Sequence, residues 1–588
     1  MASVSLQGGS SSNDQRVFWG SFIALIACAF GFVVRTQIID DWAAEFSLGE
    51  TEKGKLLAVG FWPFAFSIFA FSLIIDRIGY GRAAFIGFLL HASSTLILIF
   101  ANGYDMLYWG TFIFALSNGT VEAYINPVVA TMFNKQKAKW LNILHAGWPG
   151  GSVLAGIIAI SMGDEVAWQW KVGLTLIPTL AYGAILYGCS FPQSERVIAG
   201  VSYKDMLRDF GGLGAFIAVF LISLQVGDIL KNYNVIDENT EALTIAGWSI
   251  IPGIIGGIAF GAYVKGLGQP IFFILCLLMI PLATTELGID SWVSELMKPE
   301  MIDIGLHEGW ILIYTMAIMT VLRFCAGPIV ERINPIMLLT LSSGIALLGL
   351  VFLSTATAIM VLVAATVYGV GKTFFWPTML AVVAEKFPRG GALTLNSVGG
   401  IGMLGLSVGT LFLGQIQDNS IEKALVDNNK VEYLEEEKVG PLGAYRSVNA
   451  DAVAAASEEV QTEIEGIQGD AKKGALLTAA IFPAIMLLSY IGLSLYFKSQ
   501  GGYKAENLLD DNDSGDGSEA GGEVTADPPV ETAEPEAAED ADDIADGGEA
   551  EADDGDDEAP AAEDTADEGA ADEGAGEAAD DSAEESDD

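Results

Sequence analysis

Long apolar runs recur along this chain, and they constrain its fold more than any other feature. A helix needs about 20 mostly apolar residues to cross roughly 30 Å of hydrocarbon. The sequence contains about fourteen runs close to that length, separated by polar breaks. Backbone groups inside a bilayer must be hydrogen-bonded within their own segment, so each run is expected to be a helix. The sequence therefore predicts an all-α polytopic membrane protein.

The runs fall into three groups: six, then two, then six. The first eight spans are predicted at 17–39, 54–75, 84–102, 106–133, 141–162, 172–191, 211–230 and 245–264, and the last six begin near residues 269, 309, 335, 358, 393 and 474. This grouping predicts two six-helix bundles and two extra central helices.

The domain organisation follows from the same breaks. We expect a polar N-terminal segment over 1–16, an N-terminal bundle over 17–191, a linker with two additional helices over 192–266, a C-terminal bundle over 267–498 that contains an external hydrophilic insert at 417–473, and an acidic tail over 499–588.

The placement of Lys and Arg predicts the orientation of the spans. Cytoplasmic loops collect positive charge. Most basic residues fall in the breaks on one side, whereas DDWAAE, GDE and DENTE fall on the other. Lys472 and Lys473 are exceptions, but they follow a long hydrophilic stretch, and long loops escape this rule. Both termini are therefore expected in the cytoplasm, and the chain in an inner or plasma membrane.

The strong negative charge of the chain is concentrated in the tail. Residues 505–588 hold 36 of the 75 acidic residues and have no Lys, Arg or aromatic residue. Such a segment repels itself and has no apolar face, so it is expected to be disordered. A solvating tail is the simpler interpretation, and a docking site for a basic cytoplasmic partner is the alternative.

Several functional classes lack their sequence signals. The four cysteines lie in apolar runs and form no CxxC pair, which argues against a metal site or disulfides. The sequence has no phosphate-binding loop and no recognisable pairing of a nucleophile with a base. We therefore expect no catalytic residue, metal, cofactor or nucleic-acid partner. The expected partners of a monomer are the lipid bilayer, a small polar solute and a coupling ion, either proton or sodium.

An internal repeat relates the two halves. GTVEAYINP in the first half matches GVGKTFFWP in the second. In each, a glycine stands three residues before an ionisable residue, Glu122 or Lys372, and a proline stands five residues after it. Further on, LNILHAGWPGG matches LNSVGGIGMLG, which aligns Asn142 with Asn396. Repeats in transporters place the binding site between the halves.

The loop after the second span carries a family resemblance. It reads SLIIDRIGYGR and resembles the DRxGxGR motif of major facilitator transporters, with Ser72 where that family usually has glycine. The resemblance implies a major facilitator fold. Together with GPIVERINP in the second half, it implies a gating role for Asp76, Arg77, Arg82, Glu331 and Arg332. Arg77 and Arg82 could instead serve only as orientation charges.

A narrower resemblance covers the fourth and fifth spans. VEAYINPVVA, followed by Leu141 and Asn142, is similar to the ExxxNP and LN pattern of the fucose:proton symporter branch of sugar permeases. It implies roles in sugar recognition and proton coupling for Glu122 and Asn126. That branch has an aspartate in its first span, near the position of Arg35 here. Arg35 instead resembles the anion-binding arginine of organophosphate antiporters.

Ionisable groups inside the hydrocarbon are costly, by about 2.5–3.5 kcal/mol on insertion scales, and they commonly mark substrate paths. We expect Glu122 and Lys372 to face each other across a central cavity, either as a functional pair or as a structural one. Glu286 is expected to be an interfacial acid or a site residue. Arg323 is expected near Glu331 or along the inner vestibule.

These observations predict a secondary transporter that works by alternating access. The solute is expected to be a sugar or sugar derivative, with Glu122 coupling a proton. An organic anion or organophosphate antiporter is the second interpretation, and a non-transporting receptor that signals through the acidic tail is the third. The predicted solute-binding residues are Arg35, Glu122, Asn126, Asn142, Lys372, Trp376 and Asn396.

Overall fold

A computed structural model describes residues 11–163, 165–233, 235–237, 240 and 242–509. Residues 510–588 of the tail lie outside the described residues, so the structure does not test the disorder predicted for them. Residues 1–10 of the polar N-terminal segment also lie outside them.

The described chain is mostly helical, as predicted. Eleven helical segments among the described residues are long and apolar enough to cross a membrane: Ser12–Gln37, Glu52–Ile78, Tyr80–Ile99, Lys137–Met162, Tyr203–Asn232, Ala242–Val264, Pro270–Gly288, Pro335–Leu353, Met360–Lys386, Pro388–Asp427 and Glu458–Ser499.

Three further predicted spans are present as helices. The fourth is the 29-residue helix Tyr104–Met132. The sixth is divided into Trp168–Gly173 and Leu176–Leu186. The tenth is the 16-residue apolar helix Gly309–Phe324. The structure thus has a helical segment for every predicted span.

Within these spans, and between them, the chain forms individual helices whose bounds locate each break. The α-helices are Ser12–Gln37, Ile39–Phe46, Glu50–Ala58, Trp62–Ile78, Tyr80–Ile99, Tyr104–Met132, Lys137–Leu144, Gly147–Met162, Trp168–Gly173, Leu176–Leu186, Glu195–Ile198, Tyr203–Asn232, Ala242–Val264, Pro270–Ala283, Val293–Leu296, Lys298–Asp303, Gly309–Phe324, Gly327–Val330, Pro335–Leu353, Met360–Lys372, Phe375–Lys386, Gly391–Asp427, Ala450–Ala454, Glu458–Ala479 and Ile481–Ser499, with a π-helical turn at Thr284–Gly288 and 3₁₀ turns at Pro388–Gly390 and Val431–Tyr433.

Three of the prolines within spans free backbone carbonyls that distant side chains then bind. Proline has no N–H, so the carbonyl four residues before it loses its helical partner. In a membrane, that carbonyl must be satisfied by a neighbouring helix, a side chain or water. The prolines are Pro127, Pro149 and Pro377, and the carbonyls that they free belong to Ala123, His145 and Thr373.

Small residues allow helices of the two halves to approach closely. A Cβ added at Gly400 would lie 2.7 Å from the Phe69 ring, and one added at Gly156 would lie 3.0 Å from Ile313. A larger side chain at either position would push the helices apart. Close packing at small residues is a common basis of helix association in membranes.

The two extra central helices, Tyr203–Asn232 and Ala242–Val264, pack against each other. Gly211 has a left-handed backbone with φ of 62°, which kinks the first helix. Beyond the kink, the Gly212 N–H donates to the Gly266 carbonyl at 3.1 Å. A side chain at Gly211 would be strained by its φ and would collide with the Gly268 backbone.

The hydrophilic insert predicted at 417–473 continues the two helices that flank it. Helix Gly391–Asp427 spans 37 residues, about 55 Å at 1.5 Å per residue, and therefore extends beyond a bilayer. The insert has its own small apolar core around Ile421, Leu425, Leu434 and Ile464. It also contains an antiparallel hairpin of Lys438–Gly440 and Gly443–Tyr445, which was not predicted. Strands of three residues are too short to show a recognisable period.

Candidate functional site

Arg323 lies at the centre of a buried polar network between the halves. Its side chain is 1% exposed. Nη2 donates to Glu286 Oε1 at 2.6 Å, Nε donates to the Thr373 carbonyl at 2.7 Å, and Nη1 donates to the His145 carbonyl at 2.8 Å. His145 belongs to the N-terminal half and the other partners to the C-terminal half, so the guanidinium joins the two.

Two of these partners are carbonyls that prolines leave free. Pro377 cannot donate to Thr373, and Pro149 cannot donate to His145. Arg323 supplies the missing donors, with the fixed fork geometry of its guanidinium. The expectation that Arg323 reaches the Glu331 region is therefore wrong. Glu331 is exposed and lies 3.6 Å from Lys139 instead.

Glu286 is a buried partner of both a charge and a helix end. Its Oε2 accepts from the backbone N–H of Trp376 at 3.0 Å. Trp376 is the second residue of helix Phe375–Lys386, where backbone N–H groups lack helical partners and the helix dipole favours an anion. Glu286 is 2% exposed, so of its two predicted roles, the interfacial one is wrong.

A local irregularity positions Glu286. The helix that begins at Pro270 widens into a π-helical turn over Thr284–Gly288. Pro281 precedes this turn, and the Thr285 hydroxyl donates to its carbonyl at 2.7 Å. Such π-helical turns often occur at functional sites.

Lys372 has its partner within the same half. Its Nζ forms an ion pair with Asp290 Oδ1 and lies 3.4 Å from the Thr315 hydroxyl. Lys372 is fully buried, and the second carboxylate oxygen of Asp290 is buried without a hydrogen-bond partner in the described part of the chain. Asp290 lies four residues after Glu286 along the same span. Two acids and two bases therefore neutralise each other in this half.

Glu122 has a neutral environment. Asn126 donates from Nδ2 to Glu122 Oε2 at 2.6 Å, and Asn126 Oδ1 lies 2.9 Å from His145 Nε2. Glu122 is 5% exposed and has no ion pair among the residues that the structure describes. Since His145 also accepts from Arg323, a continuous chain of contacts links Glu122 to Glu286.

Glu122 and Lys372 are not paired with each other, in contrast to the expected facing pair. Asp290 satisfies the lysine, and Asn126 satisfies the carboxyl group. The repeat aligned the two charged positions by their sequence spacing. It gave no indication of the acid on a neighbouring helix that takes the lysine.

The aligned asparagines both contact the opposite half. Asn396 Nδ2 donates to the Ala123 carbonyl at 2.8 Å, which is the carbonyl that Pro127 frees. Asn142 Nδ2 donates to the Ala138 carbonyl at 2.8 Å and lies 3.5 Å from the Thr378 hydroxyl. The Trp376 ring is also buried here, and a Cβ at Gly402 would lie 3.1 Å from it.

Arg35 occupies a cavity of its own within the N-terminal half. The lining residues come from the first, third, fourth and sixth spans and from the helix after the first: Gly31, Val34, Arg35, Trp42, Thr95, Leu98, Phe114, Val172 and Thr175. None of them belongs to the network around Arg323. The structure therefore separates Arg35 from the other predicted solute-binding residues.

Charged residues cluster again near the predicted cytoplasmic ends. Arg196 Nη2 lies 2.6 Å from Asp76 Oδ2, and both side chains are largely buried. Arg77 instead lies over the Tyr203 ring at 4.8 Å. Arg82 makes one long contact to the Ile78 carbonyl at 3.4 Å, and Arg332 is exposed.

A second buried ion pair lies in this region and reaches the other half. Lys137 is 2.6 Å from Glu195, and its Nζ also donates to the Ala384 carbonyl at 3.1 Å. Lys137 follows the fourth span, whereas Ala384 lies in the C-terminal half. This contact holds the halves together at that end.

Sequence reasoning missed several of these residues as members of the site. Asp290, Lys137, Glu195 and Arg196 were not singled out. One available signal was the four-residue spacing of Glu286 and Asp290 within an apolar run, which places both acids on one helix face. Arg196 and Glu195 lie in a polar linker, where charges are common and carry no such signal.

Comparison with solved structures shows the same fold in several transporters. The E. coli proton:xylose symporter XylE, bound to 6-bromo-6-deoxy-D-glucose, is 12% identical, with a TM-score of 0.53 over 81% of this chain and 95% of that one. The human organic anion transporter MFSD10 is 11% identical, with a TM-score of 0.51 over 82% and 100%. FucP in its outward conformation is 13% identical, with a TM-score of 0.49 over 81% and 97%.

A search of curated protein sequences finds no significant match. The family model of the Major Facilitator Superfamily matches residues 20–410, which is most of the membrane-spanning part of the chain. The helical spans and the structural neighbours agree with that match. The chain therefore belongs to the Major Facilitator Superfamily of transporters.

Proposed function

We propose that this protein is a proton-coupled secondary transporter of a small polar solute, a sugar or sugar derivative. Bundles 17–191 and 267–498 would alternate access to a solute held between them. The observation that carries the proposal is Glu122, a buried carboxyl group whose partner is an amide and which has no cation beside it among the described residues.

The environment of Glu122 suits a group that gains and loses a proton. A carboxylate without a cation is costly in an apolar interior, and a bound proton removes that cost. Proton release requires water to reach the group or the network around it to rearrange. Alternating access provides such a change, because it opens the interface between the halves to one side at a time.

The network around Arg323 supplies the remaining roles. Asn126, Asn142, Asn396, Lys372 and Trp376 lie at or near the interface between the halves, where amide and ammonium groups can bind hydroxyls and a ring can stack on a sugar. The hydrogen bonds that join the N-terminal half to the C-terminal half must break for a solute to enter. Solute hydroxyls would then replace the carbonyl and amide partners that these side chains have here.

Transport assays in proteoliposomes test this proposal. With an imposed pH gradient, radiolabelled L-fucose, D-xylose and D-glucose are compared with D-glucuronate and glucose 6-phosphate. The Glu122→Gln variant should lose gradient-driven accumulation of the accepted solute and retain its exchange across the membrane. Loss of both activities in a stably folded variant would contradict proton coupling at Glu122.

An organic anion or organophosphate is the second candidate solute, and one observation favours it. Arg35 is a buried cation without an ion pair among the described residues, and its guanidinium fork suits a carboxylate or phosphate. Accumulation of glucuronate or glucose 6-phosphate, and of neither neutral sugar, would select this function.

The cytoplasmic gate would use Asp76, Arg77, Arg82, Glu331 and Arg332 in either case. The contacts of Asp76 with Arg196 support a role for Asp76 as a fastening point, and the exposed arginines fit an orienting role. The receptor interpretation depends on the tail from residue 510. Transport that survives removal of that tail would argue against signalling as the main activity.

A further inference from the structure

Two buried side chains with unpaired donors line the same cavity near the C-terminal end of the first span. Arg35 is 4% exposed, and its Nε and Nη2 atoms have no hydrogen-bond partner among the residues that the structure describes. Trp42 is fully buried, and its indole Nε1 also has none within that part of the chain. Both residues line the cavity within the N-terminal half. Buried polar groups in folded proteins almost always have partners, so two orphaned donors at one cavity require an explanation.

The nearby acids that could neutralise Arg35 are engaged elsewhere. Asp41 lies 3.5 Å from Lys171, and Asp40 lies 3.0 Å from Lys53. Glu45 accepts a hydrogen bond from the Trp168 indole. Among the side chains that the structure describes, none forms an ion pair with Arg35. A lone buried charge costs several kcal/mol unless it is paired.

Residues outside the cavity lining also contact the guanidinium. A Cβ at Gly60 would collide with it, so the glycine is what leaves room for it. The Phe32 ring lies 5.5 Å from the Arg35 Cζ atom. The cavity lining itself is mainly apolar, with the hydroxyls of Thr95 and Thr175 as polar exceptions. Thr95 already donates to the His91 carbonyl at 2.8 Å.

We propose that this cavity is a binding site for one small anion, held by the Arg35 guanidinium and the Trp42 indole N–H. An anion would neutralise the arginine. It could also accept hydrogen bonds from the three unpaired atoms, Arg35 Nε, Arg35 Nη2 and Trp42 Nε1. A halide ion or a single carboxylate group has this chemistry. The site lies apart from the Glu122 network and does not depend on the proposed sugar transport.

Thermal unfolding of the purified full-length protein in detergent tests the site. Sodium chloride or bromide is titrated against sodium 2-(N-morpholino)ethanesulfonate, a bulky anion without a carboxylate, at constant ionic strength. A ligand that binds the folded state raises the unfolding midpoint in a saturable way. We expect halide to raise the midpoint of the wild type and to have no effect on Arg35→Gln. Trp42→Phe keeps an aromatic ring and removes one donor. The halide concentration that gives half of the maximal stabilisation should therefore rise at least about threefold, because one hydrogen bond to the anion is lost.

Matched variants separate this site from general effects. Trp168→Phe removes a neighbouring indole N–H that does not line the cavity, and it should keep the full halide response. Glu122→Gln should also keep it, which distinguishes failure of the anion site from failure of the proposed transport. A titration with glucuronate identifies the source of the anion: stabilisation that requires Arg35 would place a solute carboxylate in the cavity, and stabilisation by halide alone would indicate a resident ion.

Two results would overturn the proposal. One is an unfolding midpoint that responds equally to halide and to the bulky sulfonate, and the other is an Arg35→Gln variant that responds as the wild type does. Should Arg35→Gln fail to fold, two other measurements test whether an anion occupies the cavity. One is the halide response of Trp42→Phe, and the other is the anomalous scattering of bromide in crystals of the wild type. Bromide density absent from the cavity, with an unchanged response in Trp42→Phe, would contradict the site.

Discussion

Asn396 donates a 2.8 Å hydrogen bond from its side-chain amide to the carbonyl of Ala123, a residue 273 positions earlier in the chain. This carbonyl is free because Pro127 stands where the helical donor would be. The same relationship links Arg323 to the carbonyls of His145 and Thr373. Prolines thus expose backbone acceptors at the interface between the halves, and side chains from the opposite half or a neighbouring helix satisfy them.

The Asn396 contact can be tested by a double-mutant cycle. Asn396→Ala leaves the Ala123 carbonyl buried and unsatisfied, which should reduce stability by about 1–3 kcal/mol. Pro127→Ala restores a helical donor for that carbonyl, so the cost of Asn396→Ala should fall by at least about half in the Pro127→Ala background. The measurement is the unfolding midpoint in detergent for all four proteins. Equal losses in both backgrounds would contradict the assignment.

Arg323→Lys should impair both stability and transport. An ammonium group lacks the fork that reaches Glu286 and two carbonyls at once. We expect a loss of at least about tenfold in transport rate, equivalent to roughly 1.4 kcal/mol. Arg323→Leu should be more destabilising, by about 3–5 kcal/mol, because it leaves Glu286 as an uncompensated buried charge.

An ion pair near the surface of the insert serves as the control for Arg323 and Glu286. Lys430 lies 2.6 Å from Glu463 in the insert, and the glutamate is half exposed. Lys430→Met should leave the unfolding midpoint nearly unchanged, because exposed ion pairs contribute little to stability. In addition, Glu286→Leu combined with Arg323→Leu should recover part of the stability lost in Arg323→Leu alone. A double variant less stable than either single variant would argue against a compensating pair.

Substitutions at Lys372 and Asp290 separate a transport role of the lysine from a structural one. Lys372→Met leaves Asp290 unpaired and should destabilise the protein, whereas Lys372→Met combined with Asp290→Asn should recover folding. If Lys372 contacts solute, the double variant will remain at least about tenfold slower in uptake than the wild type. Size-exclusion profiles after heating report folding, and proteoliposome uptake reports transport. Uptake restored together with folding would assign the lysine a structural role.

Residues 501–509, the first part of the tail, should affect the cytoplasmic gate. Glu506 lies 2.6 Å from Lys386, Tyr503 donates to Glu385 at 2.9 Å, and the Leu508 N–H donates to Glu195 at 3.1 Å. These contacts join the chain end to the C-terminal half and to the linker, and they would have to break when that side opens. Truncation after Leu509 should leave uptake within about twofold of the wild type, and truncation after Gln500 should change it by more, since several such contacts together exceed the roughly 0–1 kcal/mol of one exposed ion pair.

Glu506→Gln tests the same contacts without a truncation. It removes the ion pair with Lys386 and keeps the length of the chain. Its effect on uptake should have the same direction as truncation after Gln500 and a smaller size. Identical uptake in both truncated proteins would show that the segment does not influence gating.

The sequence by itself determined the number and positions of the spans, because the hydrocarbon thickness sets the length of each apolar run whatever its neighbours are. It also determined the repeat, and with it the alignment of Glu122 with Lys372 and of Asn142 with Asn396. The family followed from local motifs that the whole-chain comparisons then confirmed.

Only the tertiary structure decided which charges meet. Lys372 pairs with Asp290, Arg323 with Glu286, and Asp76 with Arg196, and every one of these partners lies on a different helix or in a linker. Periodicity reveals the face of a helix that a residue occupies, but it carries no information about which helix packs against that face. The freed carbonyls illustrate this limit well: the prolines were visible in the sequence, whereas their replacement donors depend on how distant helices pack.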